Sequence, residues 1–198
     1  MQRDTSSTDA NVIRPEVSTR RSFLARTGTA MLSGAAIALM AGADSKSIFG
    51  TAQASEGDVA ILNSALSAER EAVAAYQLAA ESGLLGEGAL KLGVTFQDHH
   101  KQHADALAAT ISKLGGAADT APSQYDFPTD QLTDERAVLA FAAELEKGAV
   151  SAYLGAVPIL GDRELAKVAA SILGDEAMHW AVLRSALGQD PVPVAFMS

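Results

Sequence analysis

The chain has 198 residues, no cysteine and a formal net charge of −9 at pH 7. The absence of cysteine excludes a disulfide framework and any cysteine-ligated zinc or iron–sulfur site. The excess of acidic residues argues against binding to nucleic acid or to an anionic membrane surface, because both are negatively charged.

The first quarter of the chain is typical of an export signal and not of a folded domain. Twin arginines lie within Ser18–Leu24, an apolar run follows over Thr27–Ala43, and Ala52–Ala54 matches an A-x-A cleavage site. A retained membrane anchor is the alternative, but this run of 17 residues is short for a span of about 20. We therefore expect residues 1–54 to be a twin-arginine signal peptide and the mature protein to be periplasmic or otherwise extracytoplasmic.

Cleavage at that site would leave residues 55–198. Residues 1–54 contain six Lys or Arg and four Asp or Glu, so the remaining 144 residues carry a formal net charge of −11. A chain of this length is the size of one domain and can bury a core without disulfides. We expect a helical domain over residues 55–188 and a C-terminal tail over residues 189–198, with metal cations as partners of the acidic mature chain and neither nucleic acid nor a membrane surface.

Two amphipathic helices are predicted in the first half of the mature chain. Ser55 is a suitable N-cap for a helix that ends at Ser82-Gly83. Its buried face recurs at alternating spacings of four and three: Leu62, Leu66, Glu69, Val73, Tyr76 and Ala80. A second helix is predicted from about Glu87 to Leu114, where Gly115-Gly116 ends it. Its buried face comprises Leu92, Phe96, His100, His103, Leu107 and Ile111.

A long connection and two further helices follow. Residues 117–132 contain two prolines and no helical period, which predicts a crossover. Thr133-Asp134 begins a third helix, and Asp162 caps a fourth that Gly188 ends. The face of the third comprises Leu139, Ala143, Glu146, Val150, Tyr153 and Val157, and that of the fourth Leu165, Val168, Ile172, Glu176, His179, Leu183 and Leu187. No segment has a strand pattern, so we predict an all-α four-helix bundle of two helical hairpins joined by a long crossover.

The two predicted hairpins repeat one another. Glu69–Tyr76 matches Glu146–Tyr153 at a shift of 77 with five of eight residues identical, and Phe96–His103 corresponds to Ile172–His179 at a shift of 76. Residues three or seven apart share a helix face, so both halves aim polar side chains at the core. Six candidate metal ligands result: Glu69, His100, His103, Glu146, Glu176 and His179. Carboxylates and imidazoles suit iron, manganese or zinc. Pairing of the same side chains in a metal-free polar network is the alternative.

This arrangement resembles the ferritin-like superfamily, in which a Glu from each of two helices and Glu-x-x-His from the other two hold a di-metal site. The resemblance covers residues 56–188, and the leader makes the chain similar to exported bacterial ferritin-like-domain proteins. It implies a di-iron site, ferroxidase-type oxidoreductase activity with oxygen or peroxide, and a role in oxidative stress. The chain departs from the pattern at His100, where such families commonly have a bridging Glu. This departure leaves open whether the site holds two ions, one ion, or has lost redox chemistry.

The alternative function is a non-catalytic structural or stress-related bundle with a degenerate metal site. A homo-oligomer is compatible with the sequence, but no self-association signature supports iron storage in a closed cage. A rubrerythrin proper is excluded, because it would need a cysteine-ligated iron domain.

Overall fold

The computed structural model describes residues 56–197, and these form four α-helices. They are α1 Glu56–Glu81, α2 Glu87–Lys113, α3 Glu135–Ala156 and α4 Arg163–Ala186, with a short 3-10 helix, Val157–Ile159, between the last two. Helix α1 packs against α2, α3 packs against α4, and the two hairpins meet along α1 and α3. Residues 56–197 contain no strand, so the predicted all-α bundle is confirmed. The predicted signal peptide and the Ser55 cap lie outside the described residues.

Local sequence signals define the helix ends. The Asp134 side chain accepts a hydrogen bond from the backbone N–H of Ala137 (2.8 Å), and the Asp162 side chain caps α4 in the same way. Gly115 follows α2 with a φ of 77°, and Gly188 follows α4 with a φ of 73°. Glycine adopts this left-handed conformation without the steric cost that a Cβ would bring. The predicted caps at Asp134 and Asp162 and the predicted helix ends at Gly115 and Gly188 are therefore confirmed.

The connection from α2 to α3 links the first hairpin to the second and contains no helix. The Asn63 side chain on α1 donates to the carbonyl of Ala117 (3.0 Å) and accepts from the N–H of Asp119 (2.8 Å). Further along, the ring of Phe127 lies edge-on to that of Phe141 on α3, with centroids 6.0 Å apart. These contacts attach both ends of the crossover to the bundle.

The apolar core consists of two clusters at opposite ends of the bundle. One cluster contains Leu62, Leu66, Leu107, Ile111, Leu160, Leu165 and Ile172. The other contains Tyr76, Phe96, Leu139, Trp180, Leu183 and Leu187. Each of the four helices has at least one buried polar residue between its residues of the first cluster and those of the second. None of the helices in the described part of the chain is long and apolar enough to cross a bilayer.

The buried face of α1 differs in part from the predicted stripe. Val73 and Ala80 are only half-buried, whereas Ala75 and Ala79 are buried. In the second half of α1 the buried face therefore extends to Ala75 and Ala79, while Tyr76 stays on it as predicted.

Candidate metal centre

The structure brings all six sequence-predicted ligands together in one layer at the middle of the bundle. Helices α1 and α3 each contribute one Glu, and α2 and α4 each contribute two side chains three residues apart. The six are Glu69, His100, His103, Glu146, Glu176 and His179. All except His103 are at most 2% exposed, and the side chain of His103 is 13% exposed. We call this set the polar layer.

The polar layer divides into two donor groups that share two members. Glu69 and His103 form one group with His100 and Glu176, and within each group the ligand atoms all lie within 4.8 Å of one another. Glu146 and His179 form the second group with the same two shared residues: His100 and Glu176. Each group thus contains carboxylate and imidazole donors from at least three helices, which suits a transition-metal ion.

Five buried nitrogen and oxygen atoms of the polar layer have no hydrogen-bond partner within residues 56–197. They are His103 Nδ1, Glu146 Oε2, Glu176 Oε1, Glu176 Oε2 and His179 Nδ1. His103 Nδ1 lies 3.1 Å from Glu176 Oε1, and His179 Nδ1 lies 3.4 Å from Glu146 Oε2, yet neither contact has hydrogen-bond geometry. Buried polar atoms normally have partners. Donors that lie close together without bonding to one another fit a metal pair well.

Two tyrosines hold the carboxylates of the opposite hairpin. The Tyr153 hydroxyl on α3 donates to Oε1 of Glu69 on α1 (2.5 Å). Reciprocally, the Tyr76 hydroxyl on α1 donates to Oε1 of Glu146 on α3. The sequence placed each tyrosine on the same helix face as a candidate glutamate. It did not show that each hydroxyl donates to the glutamate of the opposite hairpin. The crossed pairs fix the two glutamates and leave Oε2 of each facing the histidines.

The carboxylates of the polar layer favour the protonated, positively charged form of its three histidines. Burial lowers the pKa of His100, but hydrogen bonds with Glu146 and Glu69 outweigh it and raise the pKa to about 11. Burial also opposes charge on His103 and His179, and contacts with the surrounding glutamates raise each pKa to about 9. The glutamates thus favour positive charge on all three rings, in the place that metal cations would take.

The carboxylates respond to the same contacts. Burial raises the pKa of Glu69, but contacts with the His100 and His103 rings outweigh it and lower the pKa to about 2. The pKa of Glu146 is also well below its usual range, because hydrogen bonds with His100 and its other neighbours outweigh burial. Burial keeps the pKa of Glu176 above its usual range. Glu69 and Glu146 thus carry the negative charge that a cation needs.

Asp175 contacts both His103 and His179 from outside the polar layer. Its Oδ2 lies 3.4 Å from His103 Nε2 and 3.4 Å from His179 Nε2. The same oxygen is 3.0 Å from Nδ1 of His99, a half-exposed residue that also lies 2.9 Å from His179 Nε2. A carboxylate at the far nitrogen fixes the ring and the tautomer of a ligand histidine. The contacts of Asp175 with His103 and His99 of the other hairpin depend on how α2 and α4 pack, which the spacing of the residues does not show.

A cleft of about 530 Å³ between α1 and α3 leads to the polar layer. Its walls are mainly small apolar residues: Ala65, Ala68, Ala72, Ala149, Ala152 and Ala156. Glu69, His100, Glu146 and Tyr153 also line it. Small side chains on facing helices thus leave a route by which ions or small molecules can reach the carboxylates.

The sequence of residues 57–189 matches a family profile described as ferritin-like domain. The chain belongs to the ferritin-like domain family. Among solved structures, this ferritin-like chain is similar to a conserved hypothetical protein from Mycobacterium tuberculosis, with 23% identity and a TM-score of 0.62 over 67% of this chain and 100% of that one. It is also similar to a structure of ferritin-like, diiron-carboxylate proteins from Bacillus anthracis str. Ames, with 23% identity and a TM-score of 0.58 over 67% of this chain and 96% of that one. A search among curated proteins gave no match.

Proposed function

We propose that this ferritin-like protein binds a pair of transition-metal ions, iron in the first instance, in the polar layer. The five buried donor atoms without hydrogen-bond partners carry this proposal. Each of these atoms lies 3.1–3.4 Å from an oppositely charged atom of the layer without being hydrogen-bonded to it, and buried polar atoms normally have such bonds. A metal ion between them would supply the missing coordination. The division into two donor groups supports two ion positions.

The surrounding residues would make the bound ions reactive and keep them in place. Iron would supply ferroxidase-type oxidoreductase chemistry with oxygen or peroxide, while manganese and zinc suit the same donors. Glu69 and His103 would be terminal ligands of one ion, and Glu146 and His179 of the other. The tyrosines orient the two carboxylates, and the cleft between α1 and α3 admits small reactants.

Elemental analysis of protein purified from its native compartment tests the proposal. We expect stoichiometric iron or a similar metal, with near-ultraviolet absorption if the metal is ferric iron. Glu146→Gln and His179→Ala should lose the metal. Glu144→Gln is the matched control, because Glu144 is an exposed glutamate two residues away on the same helix and its substitution should leave the metal content unchanged.

Native protein without metal would contradict the proposal and favour the non-catalytic bundle, in which the glutamates and histidines only pair with one another. Equal metal content in the Glu146→Gln and Glu144→Gln variants would contradict the polar layer as the place where the metal binds.

We also propose that residues 1–54 export the protein by the twin-arginine route and that residues 55–188 form the mature domain. The motif residues and the A-x-A site support this proposal. Changing Arg20 and Arg21 to Lys should retain the protein in the cytoplasm, and N-terminal sequencing of exported protein should begin at Ser55. Full-length protein in the membrane fraction would instead indicate a retained anchor.

A further inference from the structure

The two shared residues of the polar layer occupy equivalent positions in the two halves of the chain. His100 corresponds to Glu176 at the shift of 76 that relates α2 to α4. The Glu176 carboxylate spans the two donor groups: Oε1 lies 3.1 Å from Nδ1 of His103, and Oε2 lies 3.4 Å from Nδ1 of His179. Each oxygen of Glu176 therefore faces a different ion position.

His100 spans the same two groups with its two ring nitrogens. Its Nδ1 lies 2.8 Å from Oε2 of Glu69, and its Nε2 lies 3.2 Å from Oε1 of Glu146. The ring is 1% exposed, so neither nitrogen faces bulk water. The imidazole thus lies between the two carboxylates that would be terminal ligands of different ions.

The other two histidines of the polar layer are oriented differently. His103 and His179 each direct Nδ1 at the glutamates of the layer, while their Nε2 atoms lie 3.4 Å from Asp175 outside it. Each can therefore offer one nitrogen to an ion. Both ring nitrogens of His100, in contrast, are hydrogen-bonded to glutamates within the layer.

Packing fixes the orientation of the His100 ring. Tyr76 stacks on it with centroids 5.4 Å apart and an interplanar angle of 28°. The rings of His103 and His179 lie edge-on, at interplanar angles of 89° and 67°. A rotation that gave both nitrogens to one donor group would disrupt the stack with Tyr76.

The protonation state of a bridging ring follows from its two contacts. A neutral imidazole keeps an N–H on one ring nitrogen and an imidazolium keeps one on both, so neither form has a free lone pair on each nitrogen. A ring that binds one ion through Nδ1 and another through Nε2 must therefore be the imidazolate.

Resting on the metal binding proposed above, we infer that His100 bridges two metal ions as an imidazolate. Nδ1 would bind the ion held by Glu69 and His103, and Nε2 the ion held by Glu146 and His179. On loading, the imidazolium form of His100 loses both ring protons to solvent, and each freed lone pair becomes a metal ligand. No oxidation or reduction is involved. Metal binding releases protons from such ligands in general.

A crystal structure of the zinc-loaded protein tests the bridge, because zinc is redox-inert and its anomalous scattering locates each ion. We expect two zinc ions per chain, the His100 ring between them, and a separation longer than the roughly 3.5–4 Å of carboxylate- or oxygen-bridged pairs. His100→Glu should shorten the separation into that range. Asp98→Asn, a change at an exposed acid two residues earlier on α2, is the control and should leave the separation unchanged.

X-ray absorption on the same samples in solution gives a second measurement that does not depend on crystals. Two ions about 3.5–4 Å apart in the unmodified protein, or two ions with His100 bound to only one of them, would overturn the bridge. A single ion bound per chain would also overturn it while leaving metal binding intact. Protein that takes up no zinc, iron or manganese would instead refute the metal binding on which the bridge rests.

Discussion

Replacing Tyr153 by Phe removes one hydroxyl from the polar layer and keeps the packing of the ring. That hydroxyl donates a hydrogen bond of 2.5 Å to Oε1 of Glu69, and both residues are buried. Because the acceptor is a carboxylate, the bond contributes about 1.5–3 kcal/mol. We expect Tyr153→Phe to lower the free energy of unfolding of the metal-free protein by about 1.5–3 kcal/mol. Tyr76→Phe should act similarly, since Tyr76 donates to Glu146.

Urea unfolding followed by circular dichroism measures this change, provided that the m-value stays constant. Tyr125, the remaining tyrosine of the chain, supplies a matched control. Its buried hydroxyl has no hydrogen-bond partner among residues 56–197, so Tyr125→Phe should change the free energy of unfolding by less than about 0.5 kcal/mol or increase it. Equal losses for Tyr153→Phe and Tyr125→Phe would refute the idea that the crossed phenol–carboxylate bonds stabilise the layer.

Three further predictions concern other parts of the site and the bundle. Asp175→Asn should weaken metal binding about 10–100-fold in a chelator competition, because it removes the carboxylate beside the Nε2 atoms of His103 and His179. Asp98→Asn, at an exposed acid of α2, is the control and should leave the metal affinity unchanged. Gly174→Ala should raise the free energy of unfolding by about 0.5–1 kcal/mol in urea, since Gly174 is helical and a Cβ there meets open space. Ala149→Leu should narrow the cleft and slow oxidation of bound ferrous iron severalfold in stopped-flow absorption, with no change in metal stoichiometry.

Each of these predictions has an outcome that contradicts it. Equal affinities for the Asp175→Asn and Asp98→Asn variants would show that Asp175 does not orient the histidines. A destabilised Gly174→Ala variant would show that the space beside Gly174 is not open in the folded protein. Unchanged oxidation in Ala149→Leu would indicate that reactants reach the layer by another path.

Sequence reasoning predicted the helices and their ends because the determinants are local. Asp134 and Asp162 cap helices through their own side chains, and Gly115 and Gly188 end them through backbone conformations that other residues avoid. The internal repeat then predicted which helices are equivalent, and equivalence brings Glu69 and Glu146 to the same level of the bundle. The match to the ferritin-like domain family over residues 57–189 agrees with that reading.

The remaining features depend on how the helices rotate and pack, which spacing alone does not determine. The burial of Ala75 and Ala79 on α1 depends on which neighbouring helices pack against that part of the helix. The crossed pairs of Tyr76 with Glu146 and Tyr153 with Glu69 require that α1 and α3 face one another. A periodic pattern identifies the side of a helix that is buried, but it does not identify the partner across the core.

The polar layer has two properties that any substitution within it changes together. Without metal, its glutamates and histidines hold one another by charge, and removing one partner of a buried ion pair costs about 3–5 kcal/mol. With metal, the same atoms would be ligands, and protons would leave as ions enter. A Glu146 variant should therefore lose stability whether the layer is metal-free or metal-bound. Metal content, ion separation and proton release change only if metal binds, so those quantities, and not stability, distinguish a metal site from a network of ion pairs.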